Sequence, residues 1–118
     1  MLPFGYFKSM DSGKLNISYQ PKTQTMFAYV GGDLIDGDNL KFYTQIRMNM
    51  GYYDFHMEHL VVDLKGVRHA NSDFLGAISA IKNLCEHKDI SFRLKNVGAS
   101  VYSLLKVFNF DRVIDINT

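Results

Sequence analysis

Cysteine is nearly missing from this chain, with Cys85 alone among 118 residues. A lone cysteine closes no internal disulfide, so the core must hold the fold, and the usage reads as that of a cytoplasmic protein in a reducing compartment. Proline is limited to Pro3 and Pro21 and tryptophan is absent, so no Pro-rich linker divides the chain. Apolar runs are only a few residues long, far from the ~20 that span a bilayer, which argues against membrane insertion. The opening MLPFGYFKSMDSG has no charged segment followed by an unbroken apolar stretch, so no secretory signal is expected. Neither sign of charge prevails: 13 Lys and Arg face 12 Asp and Glu, a net charge of +1. That balance excludes a broad electrostatic footprint for nucleic acid. The local signatures GxSxG, GxxxxGK[ST] and GxGxxG are missing as well, which leaves a compact interaction domain or a small enzyme, with no cofactor indicated.

What is present suits one folded domain. Hydrophobic residues make up 47%, too many for a disordered chain, and the length fits a single unit of about 100–200 residues. Residues 1–13 read as an N-terminal lead-in whose Leu2, Phe4, Tyr6 and Phe7 can dock on the body, and residues 14–118 as the domain. Residues 14–20 alternate, with Leu15, Ile17 and Tyr19 on one side, as a half-buried strand does. A turn at Pro21 leads to a second strand over residues 25–30, making a hairpin that the Gly31-Gly32-Asp33 turn ends.

Residues 36–39 (DGDN) offer capping side chains to a helix whose stripe is Leu40, Tyr43, Ile46 or Arg47, and Met50, and which Gly51 ends. Residues 60–64 (LVVDL) suit a central strand buried on both faces, followed by a loop. Asn71-Ser72 starts a second helix with an apolar stripe of Leu75, Ile78, Ile81 and Cys85. Residues 90–94 alternate as a strand. Ser100 then caps a helix whose stripe Val101, Leu104, Leu105 and Phe108 reads as core, and residues 111–116 form a last short strand. The order β-β-α-β-α-β-α-β implies an α/β domain: a mixed sheet of about five strands, begun by a hairpin and continued through helical crossovers.

Candidate chemistry is sparse. His56 and His59 flank Met57-Glu58 just before a strand, with no second ligand cluster, so they read as a solvated turn and not a metal site. Cys85 on an apolar stripe reads as a small core residue. The informative segment is residues 62–76, VDLKGVRHANSDFLG. A serine at a helix start sits where backbone N–H groups lack partners and the dipole is positive. Ser72 can therefore cap the helix, and in the same position it can carry a phosphate.

At this segment the chain resembles the STAS domain family, the sulphate-transporter and anti-sigma-factor-antagonist domain. The family pattern is an apolar strand ending in an aspartate, a short loop, then Asp-Ser-x-Gly-Leu opening a helix. Its counterparts here are Leu60 to Leu64 with Asp63, then Asn71-Ser72-Asp73-Phe74-Leu75. Later counterparts are Asn96-Val97 after a strand and Asp111-Arg112 after the last helix, and Gly32-Asp33-Leu34 is similar to the Gly-x-Leu after the second strand. The resemblance implies a single-domain STAS-like fold over residues 14–116. It also implies a partner-switching regulator like an anti-sigma factor antagonist, not an enzyme but a substrate, phosphorylated on Ser72 by a serine kinase that is itself an anti-sigma factor and reset by a phosphatase. The implied partner surface comprises Asp33, Leu34, His69, Asn71, Ser72, Asp73, Phe74, Asn96 and Val97, with Phe74 as an exposed anchor or, alternatively, packed across the start of its own helix. Two other implied roles are an unphosphorylated accessory subunit of a transporter ATPase and a small nucleotide- or ligand-binding domain.

Overall fold

The computed structural model describes residues 5–9, 13–34, 37–53 and 56–118. Six strands lie side by side in chain order: β1 (Gly5–Ser9), β2 (Gly13–Gln20), β3 (Thr25–Leu34), β4 (His59–Ala70), β5 (Ser91–Lys95) and β6 (Asp115–Ile116). The first two pairings are antiparallel and the remaining three are parallel. Each parallel connection carries a helix: α1 (Gly37–Tyr53), α2 (Ser72–His87) and α3 (Ala99–Val107), the last followed by a 3-10 turn at Phe110–Arg112.

The α/β mixed sheet is the one expected, with one strand more. Gly5–Ser9, inside the segment read as a lead-in, pairs with β2 as an edge strand. Leu2, Phe4 and the capping position Asp36 lie outside the described residues.

Alternation on the central strands decides which face carries the helices. Met26, Ala28 and Val30 of β3 and Leu60, Val62 and Leu64 of β4 are buried in one cluster with Phe42, Ile46, Phe74, Ile78, Ile81, Val101 and Leu105 from the helices. The opposite face keeps Asn16, Tyr29, Arg93 and Lys95 exposed. Burying each large apolar side chain contributes about 1.5–3 kcal/mol, so this one-sided core is the main stabilising term.

Three local expectations are corrected. First, the α1 stripe holds at Tyr43, Ile46 and Met50 but not at its N-terminal end. Phe42, Ile46 and Met50 are buried, whereas Leu40 is 69% exposed and Arg47 is also exposed. Apolar residues occur on nearly every side of this helix, so periodicity alone does not choose between Leu40 and Phe42, and the large Phe42 ring is the one seated in the core. The helix also runs past Gly51 to Tyr53.

Second, residues 65–70 are strand, not loop. β4 continues to Ala70 beside an equally prolonged β3, and Gly31 and Gly32 lie within that ladder instead of ending it. Irregular register on either side of this pair accommodates Gly32 at φ 86°, a left-handed conformation that suits glycine. Gly31 and Gly66 face each other so closely that a Cβ added at Gly66 would sit 3.1 Å from the Gly31 Cα. Third, Phe108 lies beyond the end of α3 and is exposed, so the core stripe of that helix stops at Leu105.

Candidate functional site

The prolonged β3–β4 pair is what builds the site. Its parallel register carries Asp33 level with His69 and Leu34 level with Ala70. One residue later Asn71 starts α2, and α1 starts three residues after Leu34. Two helix N-termini and two strand ends therefore meet at one edge of the molecule. A hydrogen bond from the Asn39 Nδ2 to the Asn71 Oδ1, at 3.4 Å, ties the two helix starts together. Asn39 is buried. The two residues are 32 positions apart, so nothing in local spacing signals the contact.

Asn71 is the cap. Its backbone is extended (φ −120°, ψ −172°) and its Oδ1 accepts the Asp73 N–H at 3.1 Å. A cap of this kind is worth about 1 kcal/mol over alanine. Ser72 follows as the first helical residue and is exposed. Of the two roles open to Ser72 in the sequence, capping is thus taken by its neighbour, which leaves the hydroxyl at the surface beside the positive end of the α2 dipole. Asp73 is exposed in the same first turn, where an acidic side chain complements that dipole.

Phe74 and Val97 depart from the partner-surface expectation. The Phe74 side chain is fully buried, and its amide donates to the Asn71 carbonyl at 3.0 Å. It faces inward because position 74 falls on the same side of α2 as Ile78, Ile81 and Cys85, the side that packs on the sheet. Val97 is buried in the core. Neither offers a partner any surface. Asn96 is set apart from Ser72 too. It follows Lys95, which is level with Asp63, and its Nδ2 donates to the Asp63 Oδ2 at 3.0 Å. Asp63 lies seven residues before the end of β4, roughly 20 Å along a strand. The structure therefore gathers the backbone of Asp33 and Leu34 with His69, Asn71, Ser72 and Asp73, and leaves out Phe74, Asn96 and Val97.

The remaining reactive groups take structural places. Cys85 is buried in the core, and burial pushes its thiol up to about 12. The His59 Nδ1 lies 2.6 Å from the Ser91 Oγ, and the His56 carbonyl accepts the Tyr19 hydroxyl at 2.6 Å. That hydroxyl is held above the usual tyrosine range, chiefly by desolvation and next by the nearby Glu58 charge. Among the described residues no three His, Cys, Asp or Glu side chains gather as a metal site. No helix among them is long and apolar enough to cross a membrane.

Known proteins share this architecture. The STAS domain family model matches residues 15–118. A crystal structure of a putative anti-sigma factor antagonist from Thermotoga maritima superposes with a TM-score of 0.71 at 19% identity, covering 97% of this chain and 86% of its own. An anti-sigma factor antagonist from Mycobacterium paratuberculosis gives a TM-score of 0.77 at 14% identity, with 93% and 89% covered. The anti-sigma factor antagonist SpoIIAA in its unphosphorylated form gives 0.62 at 11% identity, with 97% and 86% covered. At these identities the likeness is one of fold. No curated protein sequence matches the chain.

Proposed function

This chain belongs to the STAS domain family, and from that premise we propose that it is a partner-switching regulatory protein, resembling an anti-sigma factor antagonist, whose docking is set by phosphorylation of Ser72. It acts in the cytoplasm as a binding protein and substrate of a serine kinase, with a phosphatase to reset it. The observation that carries this reading is the exposed hydroxyl of Ser72 at the first position of α2, released from capping by Asn71. The partner surface is centred on Asp33, Leu34, His69, Asn71, Ser72 and Asp73. The physical logic is one of desolvation. A neutral hydroxyl lies flush against a partner, whereas a phosphate brings about two negative charges that an apolar or acidic partner surface can neither pair nor solvate. An unpaired buried charge costs several kcal/mol, so binding should weaken on the order of a hundredfold.

The test is incubation with a candidate cognate serine kinase of the anti-sigma-factor type, followed by intact-mass measurement and affinity measurement against that kinase. One phosphoryl group is expected on the wild type and none on Ser72→Ala, with Ser72→Asp binding the kinase at least tenfold more weakly. An unchanged mass together with normal binding by Ser72→Asp would overturn the reading.

A further inference from the structure

We propose that two copies of this chain associate through α2, helix against helix and antiparallel, about a two-fold axis at Ala80. This goes beyond the Ser72 reading and concerns the unmodified chain; because Ser72 and Asp73 lie in both surfaces, self-association and partner docking exclude each other.

The outer surface of the helical layer is concave. A cavity of about 440 Å³ lies between α1 and α2, lined by Leu40, Tyr43, Asp73, Gly76 and Ala80 among others. A second cavity of about 550 Å³ shares Tyr43 and Ala80 and continues past Leu84 to His87 and Lys88. Together they follow α2 from its first turn to its end, about 22 Å at 1.5 Å per residue. Of the α2 residues along them, which also include Ala77 and Asn83, those at positions 73, 76, 80, 84 and 87 recur every three or four places and form one stripe.

That stripe is complementary to its own reverse. An axis through Ala80 sets position 80 − n of one copy against 80 + n of the other. Gly76 then receives the partner's Leu84, Asp73 meets the partner's His87, and Ser72 lies opposite the partner's Lys88. The side chains fit these pairings. A Cβ built on Gly76 meets nothing within 4 Å, so the packing of its own copy does not require a glycine in mid-helix, where glycine weakens a helix. The space it leaves faces the partner's Leu84, which is half-buried against its own core and lines the groove with its remaining surface. The charges are ordered the same way, with an acid at one end of the stripe and bases at the other, which an antiparallel pair brings into register. A second copy also covers Leu40, which the monomer leaves 69% exposed. Contact along one helix and its flank falls at or below the lower end of the roughly 1,200–2,000 Å² of stable interfaces, so the association is concentration-dependent and not obligate.

The test uses sedimentation velocity over a wide range of protein concentration, with circular dichroism to confirm that each variant is folded. The wild type is expected to move from monomer to dimer mass as concentration rises. Ala80→Glu places like charges face to face on the axis and should raise the dissociation constant at least tenfold. Asp73→Lys and His87→Glu should each weaken the dimer, and the double exchange should restore it. Ala80→Cys should form an intermolecular disulfide on mild oxidation, whereas Tyr29→Cys on the opposite sheet face should not. The proposal is overturned by a monomer at every concentration, or by a dimer that survives Ala80→Glu unchanged. It is also overturned if Tyr29→Cys cross-links as fast as Ala80→Cys. All of these measurements use the unmodified protein, so their outcome is separate from that of the phosphorylation test.

Discussion

The facing glycines of β3 and β4 give an asymmetric stability experiment. At Gly66 an added Cβ would lie 3.1 Å from the Gly31 Cα and 3.3 Å from the Val30 carbonyl oxygen. Carbon atoms pack best at about 3.5–4.0 Å, so relief needs a shift of several tenths of an ångström. Both contacts are backbone atoms of a paired strand, so no side chain can swing aside. Overpacking of this kind costs about 1–3 kcal/mol, partly offset by the roughly 0.4–1 kcal/mol gained when alanine restricts the unfolded chain. Gly66→Ala should therefore lose about 1–2 kcal/mol. Gly31→Ala is the control: its Cβ would meet the Gly66 carbonyl oxygen at 3.5 Å, an ordinary contact, and its φ is not positive. The loss there should be close to zero. For a domain of this size 1 kcal/mol moves the melting temperature by roughly 3–6 °C. Thermal unfolding followed by circular dichroism should show Gly66→Ala melting several degrees below the wild type and Gly31→Ala close to it. Equal shifts, or the reverse order, would refute the packing argument.

Two further outcomes follow from burial. Phe74→Ala should destabilise by about 3–5 kcal/mol in urea denaturation, while Phe74→Leu retains partner affinity. A partner-binding loss in a fully folded Phe74→Leu would show that the ring contributes to the interface after all. Cys85, pushed up to about 12 by burial, should stay unlabelled by a thiol reagent at pH 8 until the protein unfolds. The folded state keeps the proton that an unfolded thiol sheds near pH 9, so this group's effect on stability is absent below that pH and becomes a loss as pH rises above it. Cys85→Ala should flatten that alkaline decline, as read from urea midpoints at a series of pH values.

Element order and type were largely readable from the sequence because the signals are local. Leu15 and Ile17 alternate, α2 keeps Leu75, Ile78, Ile81 and Cys85 on one side, and Asn71 stands where a cap belongs. The extension of β4 was not readable. Residues 65–70 contain one buried apolar side chain, Val67, and are held in place by β3, whose partner stretch lies more than thirty residues earlier. The register of α1 stayed ambiguous because Leu40, Phe42, Tyr43, Met48 and Tyr52 surround the helix. The site was legible in its serine but not in its boundary. Whether Phe74 points in or out depends on which side of α2 meets the sheet, and the distance between Asn96 and Ser72 depends on how far β4 outruns β5.

The six strands stand across the sheet in the order in which they are synthesised. A nascent chain leaving the ribosome can therefore add each new strand to the outer side of the one before it, with no gap held open for a late arrival. Loop closures stay between neighbours, which favours rapid assembly. As synthesis proceeds the growing border is always the newest strand, and the two-residue β6, at the edge of the described sheet, offers only a short border to unwanted pairing with other chains.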